Sequence, residues 1–530
     1  MMPPRHFRLG NPILRLIVAL LLAAPVRGTR AGAATADQAA QPPRVNVILW
    51  FDTEDYLLPA DDDADKRLAE MLAQRHIRAT FKVVGEKARV LERRGRRDVI
   101  DALKQHDIGY HSNLHSVHPA PAEYLADCGL LDGIDEFIRR EARGAADVRR
   151  IFGVPSLVCY GQPGSSWAPQ AITALPRCGV ANDGIPCYLD SGNHIGLHGQ
   201  PYWYCGALIV YDMSPNETRM DLFEPGGLER GDEAFDKIAA RLAADGGGLV
   251  SIFYHPCEWV HQQFWDFVNF RRGANPPREQ WKAPPQRPAA ETEAAFERFG
   301  AYLDHMRATP GVRFVTASQL PKLYPDPVRA ERVRADEVHE LAARLAAADS
   351  PGINFQVIGH EAFSPAEQFS LLCDALACAI HGDAADGSQY SIPGPLLGPD
   401  GEPPTKADRR DPIPWPAFRD AALDAQDFVH QQHRVPARVF IGPDPLPPAD
   451  FLVAMAKALL AKAESNRFPD SVSLPIGVKL LTADHVVHDG PNVYGGWIVH
   501  KANFRAPHIL EIARLQAWTL KPAIRSQSGD

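Results

Sequence analysis

Two histidines four residues apart stand in the string His111-Ser112-Asn113-Leu114-His115, about sixty residues after the acidic string Asp52-Thr53-Glu54-Asp55. On a helical backbone such a pair shares one face, because 3.6 residues complete a turn. Two imidazoles and one carboxylate make a three-ligand metal set that leaves a position open for water. A second carboxylate beside it could take that water's proton. Further on, His255 follows an apolar run and could meet the same point from the far side. Singly these pieces are ordinary, since histidines satisfy cores and surfaces and acids gather at strand ends. Together they outline a metal-dependent hydrolase.

The order of elements must then bring them together. Val45–Phe51 reads as a buried strand that delivers the acids to its C-terminal end. A helix is predicted around Ala64–Arg75, a second strand at Ala79–Gly85, a helix at Asp98–Gln105, and a third strand at Asp107–Tyr110 running into the histidines. Gly248–Tyr254 is a late apolar strand ending at His255-Pro256. A helix at Glu293–Arg307 and a strand at Val312–Val315 close the series. This β-α-β rhythm implies parallel strands with the reactive residues on one rim, at the strands' C-terminal ends.

These strings resemble the NodB-homology polysaccharide deacetylases of carbohydrate esterase family 4, over roughly residues 44–325. The resemblance implies an α/β fold, a distorted (β/α) barrel. It implies Asp52 as catalytic base, His111 and His115 as metal ligands in a His-Ser-x-x-His motif, and His255 as general acid. It also implies one divalent metal ion, with zinc the expected one, and hydrolysis of an N-acyl group, most simply acetyl from an N-acetylated sugar. Other non-peptide C–N bonds fit the same site.

Several positions depart from the family's pattern. Either Glu54 or Asp55 can be the metal carboxylate: an extended strand puts Glu54 on the face of Asp52, but a turn after Asp52 removes that preference. Where the family carries an arginine that orients the base, this chain has Gln162, in Tyr160-Gly161-Gln162-Pro163-Gly164, with backbone N–H groups near Gly164 expected to face the oxyanion. Asp183 stands where an acid would orient His255, in a string that also reads as an ordinary turn. The irregular stretch 258–290 begins just after His255 and carries Trp259, Phe264, Trp265, Phe267, Phe270 and Trp281; Trp259 and Trp265 are candidates for a substrate wall, or these aromatics staple a loop to the barrel.

A chain of 530 residues suggests two or three domains. Arg5, Arg8 and Arg15 precede the apolar run Leu16–Val26 and the small residues Ala31-Gly32-Ala33, so residues 1–33 read as an export signal and 34–43 as a flexible leader. Cleavage there removes five arginines and no acid, taking the formal net charge from −9 to −14. An acidic protein is a poor partner for nucleic acid, and no other stretch is long and apolar enough to span a membrane. The expected place of action is periplasmic, extracellular or cell-wall associated. Among eight cysteines, one disulfide is expected within Cys178, Cys187 and Cys205, and buried thiols at Cys373 and Cys378. Asp61-Asp62-Asp63 is expected to be a solvated loop before a helix.

After Pro321–Pro327 the pattern turns helical, and 326–530 reads as a mainly helical accessory domain. It holds a faint repeat: Val357–Phe369 parallels Phe440–Phe451, each a Val/Phe-Ile-Gly string followed by a Pro-Ala-Asp/Glu helix start. The second copy resembles pseudomurein-binding repeats, which implies adhesion to a cell-wall polysaccharide. Two functions therefore stand: an exported metal-dependent deacetylase of a polysaccharide or cell-wall glycan, or a carbohydrate-binding protein whose barrel has lost catalysis. Retention of Asp52 favours the enzyme, because a binding protein has no use for the base.

Overall fold

Nine consecutive residues with no exposed member, Val45–Thr53, form β1, the centre of the sheet. It lies parallel to β2 (Thr80–Val83) and β8 (Val312–Val315) along one edge and to a late strand, β7 (Gly248–Tyr254), along the other. On the far side of β2 runs β3 (Asp107–Tyr110), also parallel. Strands buried on both faces read as continuous apolar runs, which is why Val45–Phe51 and Gly248–Tyr254 were legible. This is the computed structural model of the chain, and it describes residues 44–347, 352–382, 389–405 and 411–526. The expected export signal at 1–33 and leader at 34–43 lie outside the described residues. Among the described residues no helix is long and apolar enough to cross a membrane.

A second group of strands comprises β4 (Cys187–Leu189), β5 (Tyr202–Tyr204) and β6 (Ala207–Val210). Single bridges from Tyr160 to Tyr110 and to Tyr188 join it to β3, and a bridge from Glu217 to Ser251 reaches β7. Continuous strand pairing does not run round the ring, so the expected barrel is not closed. Helix α1 (Pro59–Gln74) starts five residues before the predicted Ala64, and Asp61 and Asp62 fall in its first turn. Both are buried, contrary to the solvated loop expected there. Lys87, on α2 (Gly85–Arg93), explains this: its Nζ lies 2.5 Å from Asp61, 2.9 Å from Asp62 and 2.8 Å from Asp65.

A second hydrophobic core is built from residues between Val328 and Val472, joined by Trp518 from near the C-terminus. It contains a structural duplication. Helix Ala335–Ala346, hairpin Gln356–Ile358/Glu361–Phe363 and helix Pro365–His381 match helix Trp415–Gln432, hairpin Val439–Ile441/Asp444–Leu446 and helix Pro448–Ser465. Each copy is clasped by a short antiparallel pair joining its two ends, Val333–Arg334 with Gln389–Tyr390 and Ile413–Pro414 with Ser471–Val472. The last stretch returns to the first core: Tyr494, Ile509, Leu510, Ala513 and Leu520 are buried there, and Lys521–Pro522 pairs with β5. No disulfide joins Cys178, Cys187 and Cys205, contrary to the one expected among them; Cys373 is buried and Cys378 half-buried.

Candidate metal centre and its acid–base flanks

The register of the sheet builds the site. Asp52 pairs with Lys82 across β1 and β2, and Phe51 pairs with Tyr254 across β1 and β7, so His255 emerges beside Asp52. His111 follows the end of β3 directly. Three strand ends therefore present Asp52, Glu54, His111 and His255 to one rim.

Glu54, His111 and His115 offer ligand atoms that all lie within 4.8 Å of one another. His115 Nε2 is 2.9 Å and His111 Nε2 is 3.4 Å from Glu54 Oε2. The opposite ring nitrogens are already engaged. His111 Nδ1 donates to the carbonyl of Gly161 at 2.9 Å. His115 Nδ1 meets Ser116 Oγ at 2.6 Å, and that hydroxyl donates to Asp266 Oδ2 at 3.1 Å. Such partners fix the tautomer that leaves Nε2 with a free lone pair. His115 Nε2 is buried and faces the Glu54 carboxylate. Two nitrogens and a carboxylate oxygen aimed at one point suit a divalent ion.

The histidines do not lie on a helix. They sit in an irregular loop in which Ser112 and His115 have φ of 63° and 57°. Loop and helix are locked together: Gly85 N donates to the carbonyl of Ser112 and Glu86 N to that of Asn113. Buried Glu141 accepts from Asn113 N at 2.7 Å.

Asp55 points away from this centre. Its carboxylate accepts from Leu57 N and lies 3.0 Å from His261 Nδ1, so Glu54 alone of the two acids joins the ligand group. Asp52 lies beside that group. Its Oδ1 is 2.9 Å from Lys82 Nζ, and its Oδ2 is 3.6 Å from His255 Nε2. Lys82 is fully buried, donates to the carbonyl of Leu189, and also approaches Asp190 at 3.7 Å. Burial tends to raise the Asp52 pKa, but His111, Lys82 and His255 outweigh it and hold the carboxyl below its usual range. Burial likewise works against the charge on Glu54, yet His115 and His255 hold it well below the usual range. On His255, burial favours the neutral ring, but Glu54, Glu258 and Asp52 push it up to about 9.

Gln162 does not contact Asp52. Its amide donates to Gly164 O and Asp190 Oδ1 at 3.0 Å and receives the Tyr188 hydroxyl. The cation beside Asp52 is Lys82, which the sequence displayed as a charge inside an apolar strand. Asp183 lies exposed on a turn with φ of 49°, away from His255. The acid that holds His255 is Glu258, 2.8 Å from Nδ1 and itself 2.5 Å from Arg219. Its position three residues after His255 was the available signal.

The two tryptophans expected to form a wall are both fully buried. Trp259 packs on Tyr254, Phe296 and Phe299, and Trp265 on Tyr56, Phe270 and Trp281 behind His115. Of that aromatic stretch, Phe264 reaches the site, edge-on to His255 at 4.9 Å between ring centres. On the other side stands Trp497, 5.8 Å from the His115 ring and directly over Gly164, where a Cβ would come within 2.3 Å of the indole. It belongs to the returning C-terminal stretch, which sequence reading had assigned to a separate domain.

No protein-family model and no curated protein matches the chain. Solved structures with some likeness include a family 4 carbohydrate esterase from Streptomyces lividans, 15% identical over 51% of this chain and 91% of its own, with a TM-score of 0.26. A family 4 pseudoenzyme from Bacillus anthracis is 12% identical over 52% of this chain and 65% of its own, with a TM-score of 0.26. The Puue allantoinase is 10% identical over 53% of this chain and 94% of its own, with a TM-score of 0.33. Likenesses this faint leave the functional question to the geometry.

Proposed function

We propose that this chain is a metal-dependent hydrolase that removes an N-acetyl group from a sugar of a polysaccharide or cell-wall glycan. The observation that carries this is the convergence of Glu54, His111 and His115, with Asp52 and His255 side by side next to them. A divalent ion held by these three residues would supply the Lewis acid that polarises the amide carbonyl. Asp52, ionised and clamped by Lys82, takes the proton of the attacking water through its Oδ2. His255, protonated at neutral pH, gives its Nε2 proton to the departing nitrogen, without which the C–N bond resists cleavage. Glu258 holds the ring for that donation through Nδ1. A base and a separate acid beside one ligand group are superfluous in a binding protein, which supports catalysis over the impaired alternative.

The arginine-flanked apolar run at 16–26 supports export. A second substrate class, a small non-sugar amide, is favoured by the burial of the centre, where Asp52 is 6% and Glu54 4% exposed. Acetate release from N-acetylated chitooligosaccharides and peptidoglycan, set beside ring opening of a small cyclic amide, decides between them. Acetate from the glycans supports the proposal; cleavage of the cyclic amide alone replaces it.

A further inference from the structure

Asp266, in the irregular stretch after His255, is a carboxylate buried without a cation to hold it. It is 2% exposed, and among the described residues it forms no ion pair. Burying a carboxylate in that way is costly, so its presence calls for a physical reason. Both of its oxygens accept hydrogen bonds: Oδ1 from Phe267 N at 2.7 Å and Oδ2 from Ser116 Oγ at 3.1 Å. Ser116 is fully buried, and its oxygen also meets His115 Nδ1 at 2.6 Å. The chain Asp266–Ser116–His115 therefore ends on the ring whose other nitrogen faces Glu54. Burial and the charge of Glu54 push the Asp266 carboxyl up to about 7, with His115 and the Ser116 hydroxyl pulling against them.

The surrounding stretch holds Asp266 still. Its neighbour Trp265 is fully buried against Tyr56, Phe270 and Trp281. Asn269 clamps the short helix Trp265–Asn269 to the chain beyond it. Its amide donates to Trp265 O at 2.8 Å and to Lys282 O at 3.0 Å, and its Oδ1 accepts from Lys282 N at 2.7 Å. The returning C-terminal stretch adds Val499 to the same small core, and Arg272 N and Gly273 N donate to the carbonyls of Ile498 and Val499. The stretch stands behind His115 as a buttress.

A carboxylate only accepts hydrogen bonds, whereas a hydroxyl both gives and accepts. Ser116 must therefore give its hydrogen to Asp266, and its oxygen accepts from His115 Nδ1–H. The ring's lone pair is then on Nε2, the nitrogen that a metal ion needs. We infer that Asp266 is a positioning residue: through Ser116 it sets the direction of the hydrogen-bond chain and so the tautomer of His115. The inference rests on the metal-centre reading and adds to it a residue that touches none of the three ligands. Asparagine makes the direction testable. Phe267 N–H can only donate, so the amide oxygen of Asp266→Asn must face it and the NH2 must face Ser116. The hydroxyl then turns to His115 Nδ1, and the ring proton moves to Nε2.

The test titrates Zn²⁺ into the whole metal-free chain at mildly alkaline pH, in competition with a chromophoric chelator, with the thermal midpoint of each variant measured beside it. Asp266→Asn, although isosteric, should weaken Zn²⁺ binding about tenfold to a hundredfold. Ser116→Ala should weaken it less, because it leaves Nδ1 free rather than reversed. In Ser116→Ala/Asp266→Asn the chain cannot reverse, so affinity should return to that of Ser116→Ala alone. Where Asp266→Asn does not fold, Asp266→Ala repeats the comparison: it too leaves the hydroxyl without its acceptor, and the same rescue by Ser116→Ala is expected. A purely packing role gives the opposite ranking, with the isosteric change mildest and the double variant worst. That ranking, or Asp266→Asn binding Zn²⁺ as the wild type does, would overturn the inference and leave the metal centre standing. A wild-type chain that takes up no Zn²⁺ would overturn both.

Discussion

Lys82 shows how much one side chain decides in this site. It lies between Asp52 and Asp190, both buried, and burial pushes Asp190 up to about 7 even with Lys82 partly offsetting it. Removing it leaves Asp52 without its cation. Lys82→Met should therefore lower kcat by about 10²-fold or more, the scale of losing an effective general base, with KM and metal content moved far less. Steady-state kinetics beside metal analysis checks this. For His255 the direction is set by its charge: the acid works protonated, its pKa is raised to about 9, and activity must fall as pH climbs through that value. Glu258→Gln removes one of the groups that raise it, so the alkaline limb of the kcat/KM profile should move to lower pH. A limb that stays in place would separate Glu258 from the acid. The histidines, Asp52 and His255 were legible as residue types at strand ends. The partners Lys82 and Glu258 were not singled out, because strand register and the turn after His255 are tertiary facts. Trp259 and Trp265 misled because an aromatic near a site in sequence is as useful to a core as to a ligand.

At the scale of elements, the loop carrying His111 and His115 depends on packing that periodicity does not reveal. A four-residue spacing suggested a helix, whereas the two rings are brought together by positive φ at Ser112 and His115 and by hydrogen bonds to α2 and Glu141. Gly144, on the helix Leu130–Phe152, is part of this fit: a Cβ there would come within 2.5 Å of Tyr110 Oη and 2.6 Å of Asn113 Oδ1. Gly144→Val should displace the loop and weaken metal affinity about tenfold or more, the usual effect of disturbing groups that orient ligands; competition with a chelator measures it. Between α1 and α2, Lys87 lies against three buried aspartates, of which Asp62 is also held by Arg94 at 2.7 Å. Lys87→Met leaves Asp61 and Asp65 without a cation and should cost about 3–5 kcal/mol, seen as a lower midpoint in denaturant. The acidic run was visible in the sequence, but its buried cation lay some twenty-five residues away.

For the whole molecule, the second core starts at Val328, while the first core takes in residues from near the C-terminus. The helices, the rhythm of parallel strands and the duplicated hairpin were readable from periodicity and repeat. The return of 480–523 was not, since nothing in an amphipathic helix names the surface that will cover it. Lys521 ties the two cores together, 2.7 Å from Asp326 and 2.8 Å from Glu367, all three nearly buried. A chain ending at Pro325 lacks Tyr494, Ile509, Leu510 and Leu520 from the first core, so it should fail to unfold cooperatively; circular dichroism through a thermal ramp reports that. The central claim is that Glu54, His111 and His115 hold a catalytic divalent ion. It is tested most directly by metal content of the purified chain and of His111→Ala/His115→Ala, with acetate release from chitooligosaccharides and peptidoglycan measured on both. One metal per chain, lost in the variant together with acetate release, is the predicted result. A chain that binds no metal, or a variant that keeps its metal and its activity, would contradict it.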